Sequence, residues 1–190
     1  SCCAVSFAAR VAAATAAVFC FFEVLPHYPV GVSEVHFILG STLLLLLGAA
    51  PAALGLAMGL LAQGALFAPG DLPQYFINVT TLLVPLFAIS YLAKRLIAPG
   101  TAYVDLKYRQ AFALSTAYQG GVVAWVAFWA FYGQGFGAEN MTSVFTFGAA
   151  YMLVVLIEPI ADLAVLAGAK ASRDLLSRTG LAHDRLLNAT

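Results

Sequence analysis

Continuous apolar runs, separated by short polar or Pro/Gly-rich stretches, dominate this chain, as in LGSTLLLLLG at 39–48 and VVAWVAFWAFY at 122–132. Membrane barrel strands would instead alternate polar and apolar residues at every second position. Each unpaired backbone group in hydrocarbon costs several kcal/mol, so helices are the remaining way for such segments to cross lipid. The pattern predicts an all-α, polytopic membrane helix bundle with six spans, at about 5–25, 35–48, 52–68, 75–93, 110–132 and 141–168.

The predicted spans form a single transmembrane domain over 1–190, with a cytoplasmic tail at 170–190. The second span is short for a bilayer that asks for about 20 residues. We expect it to gain length by starting deeper or by packing inside the bundle.

Composition supports the membrane interpretation and excludes some functions. The chain is 62% hydrophobic and 9% charged, whereas an ordinary soluble domain is about 25% charged. The formal net charge is zero, so no basic surface points to a nucleic-acid partner. The three cysteines do not form a spaced disulfide or zinc framework. The lipid bilayer is therefore the one partner that composition itself predicts.

The basic residues orient the predicted spans. With six spans, all nine Lys and Arg residues lie on one side, including Arg10, Lys94, Lys107 and Lys170. The loops of the opposite side, 26–34, 69–74 and 133–140, contain none. The positive-inside rule makes the basic side cytoplasmic, so both ends of the chain are predicted to be cytoplasmic.

Polar residues collect on the predicted outer face, and His36 is the one with the clearest chemistry. It could cap or hydrogen-bond a helix end, or its imidazole could bind a metal ion. An enzymatic reading would pair His36 with Glu34, as in an intramembrane hydrolase. On a helix, a spacing of two residues places side chains about 200° apart, so we expect these two to diverge and disfavour that reading.

Two further features of the spans could carry function. Span one contains two ladders of small residues four apart, Ala8/Ala12/Ala16 and Ala9/Ala13/Ala17, which would permit close helix approach in lipid. Glu158 and Asp162 lie one turn apart in span six. Carboxylates at membrane depth should face protein or water. A proton relay is conceivable, but we favour pairing with basic groups of the cytoplasmic side or contact with a partner.

Several ordered motifs resemble the CbiM/NikM-type permeases. They are PVGVSEVH (29–36), FILGST (37–42), QGALF (63–67), DLPQY (71–75) and NVTT (78–81), with AYQGG (117–121) and YGQGFG (132–137) further along. The resemblance runs from about Arg10 to Lys170. These permeases are the substrate-capturing membrane components of energy-coupling-factor ABC transporters for cobalt and nickel.

The resemblance implies a metal site on the outer face. Family members begin with Met-His-Ile, and that terminus supplies most of the nitrogen ligands. A second histidine, matched here by His36, completes the set. Asn78 matches a pocket-lining position and is a candidate to support the ligands. Because this chain opens Ser1-Cys2-Cys3, we expect it to lack one upstream span and with it most of the ligands.

The resemblance also implies partners, namely a transmembrane scaffold subunit and two ATPase subunits. The scaffold would contact the alanine ladders of span one. The chain has no GxxxxGK[ST] phosphate-binding loop, so we expect a transporter subunit of the bacterial inner membrane rather than an enzyme.

We therefore expect the chain to capture Co(II) or Ni(II) as transported ions, with no permanently bound cofactor. Two alternatives remain open at this point: a substrate subunit for an organic vitamin, bound through Trp/Tyr residues and Gln119, or a ligand-free membrane assembly protein.

Overall fold

The computed structural model describes residues 2–173 and shows a bundle of six α-helices with a small hairpin at one end. The helices are α1 (Cys2–Phe19), α2 (Gly40–Leu47), α3 (Ala49–Leu66), α4 (Tyr75–Leu96), α5 (Tyr108–Gln134) and α6 (Ala138–Ala171). A short π-helical turn, Cys20–Val24, extends α1, and 3-10 turns at Pro69–Gln74 and Tyr103–Asp105 connect the later helices. The predicted all-α membrane bundle is confirmed.

Within the described part of the chain, five helical segments are long and apolar enough to cross a membrane: Ala4–Glu23, Ala49–Leu66, Pro69–Leu96, Tyr108–Gln134 and Ala138–Ala171. Their bounds lie within a few residues of the predicted spans, apart from Pro69–Leu96, which also takes in the 3-10 turn before α4. Such agreement is expected because an apolar run of this length has few alternatives to a helix in lipid.

The predicted second span, 35–48, has a different form. Residues 28–35 make a β-hairpin in which β1 (Tyr28–Val30) pairs antiparallel with β2 (Ser33–Val35). Gly31 lies in the turn of this hairpin with a φ of 60°, and it packs against the α6 backbone at Ser143. The chain then runs irregularly through 36–39, and α2 begins only at Gly40.

The segment from β2 to α2 still carries the chain from one end of the bundle to the other. Eight helical residues rise about 12 Å, and four irregular residues can add at most roughly 13 Å. Irregular backbone at membrane depth is tolerated where protein surrounds it. The first five residues of α2 are buried, so this composite span is enclosed by the bundle, in agreement with the expectation that span two packs inside.

Helices α1 and α3 pack closely through small residues. Cβ atoms added at Gly55 or Gly59 of α3 would collide with Ala14 and Val18 of α1 respectively. Ala14 and Val18 are fully buried. Gly55 and Gly59, four residues apart, therefore form the close-approach surface inside the bundle.

The two ends of the bundle carry different groups. The hairpin, the 3-10 turn Pro69–Gln74 and the α5–α6 connection share one end, which holds no Lys or Arg among residues 2–173. At the other end, Arg10 donates a hydrogen bond of 2.9 Å to the carbonyl of Leu47, at the last turn of α2. Arg173 binds Asp105 at 2.8 Å at this same end.

Candidate metal-binding pocket

A cavity of about 560 Å³ opens at the end of the bundle that carries the hairpin. The hairpin, α3, the 3-10 turn before α4, and helices α4, α5 and α6 all contribute to its wall. Polar lining residues include Gln63, Asp71, Gln74 and Gln134. Both predicted site residues, His36 and Asn78, also line it. The structure therefore brings together two residues that are 42 positions apart in the sequence.

The imidazole of His36 is enclosed by aromatic rings and one carboxylate. Its side chain is 13% exposed, and its Nε2 lies 3.0 Å from a carboxylate oxygen of Glu34. The ring of Phe22 is 4.6 Å away between centroids, and the ring of His27 stacks on it at 5.2 Å. His36 Nδ1 is buried without a hydrogen-bond partner.

The contact between Glu34 and His36 corrects the expectation that these side chains diverge. That expectation assumed a helix. Glu34 lies in β2, and His36 is the first residue after that strand. In extended backbone, side chains two residues apart point to the same face. The two side chains therefore meet. With a proton on Nε2 shared with Glu34, Nδ1 is the ring nitrogen left without a hydrogen-bond partner. A carboxylate that holds the second ring nitrogen is the usual support of a metal-binding histidine.

Trp129 lines the cavity, as does Asn78. The indole N–H groups of Trp125 and Trp129 both donate to the hydroxyl oxygen of Thr80, at 3.3 Å and 3.0 Å. Phe128 stacks on Trp125. The sequence alone gives no sign that Trp129 belongs to the pocket wall.

A buried polar network lies beneath the pocket. Tyr151 lines the cavity, and its hydroxyl donates to the amide oxygen of Gln119 at 3.0 Å. The amide nitrogen of Gln119 donates to Glu158, whose carboxylate also accepts the backbone N–H groups of Ile38 at 2.8 Å and Leu39 at 2.7 Å.

Asp162 continues this network one turn along α6. Its carboxylate accepts hydrogen bonds from the hydroxyls of Ser41, at 2.5 Å, and Thr42. The favoured pairing of Glu158 and Asp162 with basic groups or a partner is thus wrong for the part of the chain that the structure describes, where neither forms a salt bridge. The spacing of the acids along α6 indicated burial, but nothing in the sequence indicated the start of α2.

The alanine ladders of α1 lie away from this pocket. Ala8, Ala12 and Ala16 are exposed on the bundle surface, as are Ala9 and Ala13, whereas Ala17 is half-buried. The residues that α1 uses against α3 are instead Ala14 and Val18. The ladders are therefore largely unused by the packing within residues 4–173.

Comparison with known proteins identifies the family. The model of CbiM, described as the cobalt uptake substrate-specific transmembrane region, matches residues 6–175. This chain belongs to the CbiM family. No curated protein and no solved structure shows significant similarity to it.

Membership of the CbiM family makes the chain a multi-pass membrane component of a cobalt uptake system, with cobalt as its transported substrate. It is a transport component, which fits the expectation that it is not an enzyme, and the family's function implies that it works in a complex with partners. The match covers all six described α-helices except the first residues of α1.

Proposed function

We propose that the chain is the substrate-capture subunit of an energy-coupling-factor ABC transporter that imports Co(II), or Ni(II), into a bacterial cell. The observation that carries the proposal is His36, an imidazole in the wall of a large cavity, with one ring nitrogen against Glu34 and the other without a hydrogen-bond partner. Nitrogen ligands suit both Ni(II) and Co(II). The family match favours metal uptake over a vitamin carrier or a ligand-free assembly protein.

His36 acts as one metal ligand in this proposal, and further nitrogen ligands are needed. No group of three or more His, Cys, Asp or Glu side chains in the described residues could hold a metal ion. The resemblance to the family assigns the remaining ligands to a Met-His-Ile terminus. Asn78 lines the same cavity as His36 and would support that terminus.

The cavity faces the outside in this proposal, in the bacterial inner membrane. The end opposite the cavity holds Arg10, Lys94, Lys107 and Lys170, and the cavity end holds no Lys or Arg among the described residues. A cation approaching the cavity meets carboxylates such as Asp71 and Glu34 rather than like charge. Both ends of this chain are cytoplasmic in the same arrangement.

The proposed partners are a transmembrane scaffold subunit and two ATPase subunits. The scaffold would dock on the ladders Ala8/Ala12/Ala16 and Ala9/Ala13/Ala17, where small exposed residues allow a partner helix to approach closely. ATP hydrolysis in the partners would drive the release of the ion inward.

Metal titration by calorimetry in detergent tests the proposal. The chain as it stands should bind Co(II) weakly or not at all, since one imidazole supplies a single ligand. The chain extended by an upstream helix that begins with Met-His-Ile should bind tightly, and His36→Ala in that background should abolish the tight site.

His27→Phe is the matched control, because it keeps an aromatic ring against His36 but removes both nitrogens. This variant should bind like its parent. Tight binding without the added terminus, or a tight site that survives His36→Ala, would show that the metal lies elsewhere. Loss of binding in His27→Phe alone would make His27 the ligand instead.

A further inference from the structure

The start of α2 lies at a point where backbone groups need partners from elsewhere in the chain. The first N–H groups of a helix have no partner within the helix, and α2 has no side-chain cap of its own. Leu39, at its N-cap position, takes a left-handed conformation with a φ of 51°. It is the one residue other than glycine with a positive φ in the described part of the chain.

Glu158 supplies the missing partner for the chain just before α2. One carboxylate oxygen accepts the N–H of Ile38 at 2.8 Å, and the other accepts the N–H of Leu39 at 2.7 Å. The Glu158 side chain is fully buried, and Gln119 holds it in place from α5. Two of the four backbone N–H groups between β2 and α2 are therefore fixed by one carboxylate.

The hydrogen bonds from Ile38 and Leu39 to Glu158 also affect the position of His36. Ile38 and Leu39 follow His36 by two and three residues, so their position sets where the chain leaves the pocket. On the other side, Glu34 holds the ring of His36 at 3.0 Å. The chain around His36 is thus fixed from both directions, by the hairpin before it and by Glu158 after it.

Helix α2, which follows these residues, is itself held against the rest of the bundle. A Cβ atom added at Gly40 would collide with the ring of Tyr118, so α2 lies directly against α5. Arg10 binds the carbonyl of Leu47 at the other end of α2 at 2.9 Å. Glu158 and Asp162 lie at the first turn of α2 and Arg10 lies at its last turn, so their charges complement the helix dipole. Together they fix both ends of α2.

We propose that Glu158 is a positioning residue for metal capture: by holding the Ile38 and Leu39 N–H groups, it places His36 in the wall of the pocket. This inference rests on the proposed role of His36 as a ligand. Glu158 does not touch the ion. It acts through the backbone between residues 36 and 39, so its replacement alters the affinity of the site while the bundle remains folded.

Amidation of the two buried acids gives a matched comparison. In Glu158→Gln the shape is kept, but an amide has one accepting oxygen where the carboxylate uses two, so at least one of the backbone N–H groups loses its partner. In Asp162→Asn the same change falls on a group whose partners are rotatable hydroxyls, among them those of Ser41 and Thr42 within α2 itself.

Calorimetric titration with Co(II), in the chain extended by the Met-His-Ile helix, separates these roles. Loss of a group that orients a ligand costs roughly 10- to 100-fold in metal affinity. We expect a loss in this range for Glu158→Gln and less than about threefold for Asp162→Asn, with both variants folded at the temperature of the titration. Wild-type affinity in folded Glu158→Gln, or equal loss in both variants, overturns the inference.

Amide hydrogen exchange of the unsubstituted chain provides a test that needs neither metal nor a stable variant. The N–H groups of Ile38 and Leu39 should exchange as slowly as those of the α5 interior, although they lie outside any helix. Rapid exchange at both overturns the inference. Failure of the parent to bind Co(II) would instead overturn the proposed function, so the two failures are distinguishable.

Discussion

Because α1 and α3 are in close contact, we predict that replacing glycine by alanine lowers the stability of the protein at Gly55 but not at Gly120. A Cβ atom at Gly55 would lie 2.9 Å from the carbonyl carbon of Ala14 and 3.0 Å from the backbone nitrogen of Thr15. Backbone atoms cannot rotate away, so Gly55→Ala should push the two helices apart. Gly120→Ala is the control, because a Cβ atom there meets nothing within 4 Å.

The expected magnitude follows from what the two substitutions share. Each replaces a helical glycine by alanine, which favours the helix by about 1 kcal/mol. That gain cancels in the comparison. What remains is the cost of overpacking at Gly55, typically about 1–3 kcal/mol. For a chain of this size it corresponds to a gap in Tm of roughly 2–12 °C.

Thermal unfolding in detergent, followed by circular dichroism, measures this gap. Gly120→Ala should match or exceed the parent in Tm, and Gly55→Ala should fall below it. Equal Tm values for the two variants would show that α1 and α3 are not in the close contact described here, since only that contact distinguishes the sites.

Two further predictions concern orientation and assembly. With native cysteines removed, a cysteine at Gly70 should react with an impermeant thiol reagent in whole cells and one at Thr101 should not; the reverse pattern would place the cavity in the cytoplasm. Ala12→Leu should reduce co-purification with the scaffold subunit while the isolated subunit keeps its Tm, and normal assembly would remove the ladder from the interface.

The long helices could be predicted from the sequence because one physical requirement dominates them. An apolar run such as 138–171 has to satisfy its backbone internally in lipid, and a helix does so without partners from elsewhere. The end of the bundle at which His36 lies was expected from the distribution of basic residues. The structure adds a cavity at that end which His36 and Asn78 share.

The hairpin and its consequences could not be predicted in this way. The segment 28–35 is short and flanks an apolar run, so its pattern predicts a loop followed by the start of a helix. Whether Glu34 and His36 diverge or meet depends entirely on that assignment. Two of the partners of Glu158 are backbone N–H groups about 120 residues away. No local pattern indicates them, because these groups need a partner only where the chain is irregular before α2 begins.

The position of the two tryptophans also gives the protein its own optical reporter. The chain contains only these two, Trp125 and Trp129, and both are tied to the same hydroxyl of Thr80 beside the cavity. Trp129 lines the cavity, and Trp125 shares its hydrogen-bond acceptor. All of the intrinsic tryptophan emission therefore originates at the pocket wall or directly beside it. A titration of the unlabelled protein followed by this emission tests whether it responds to occupancy of the cavity.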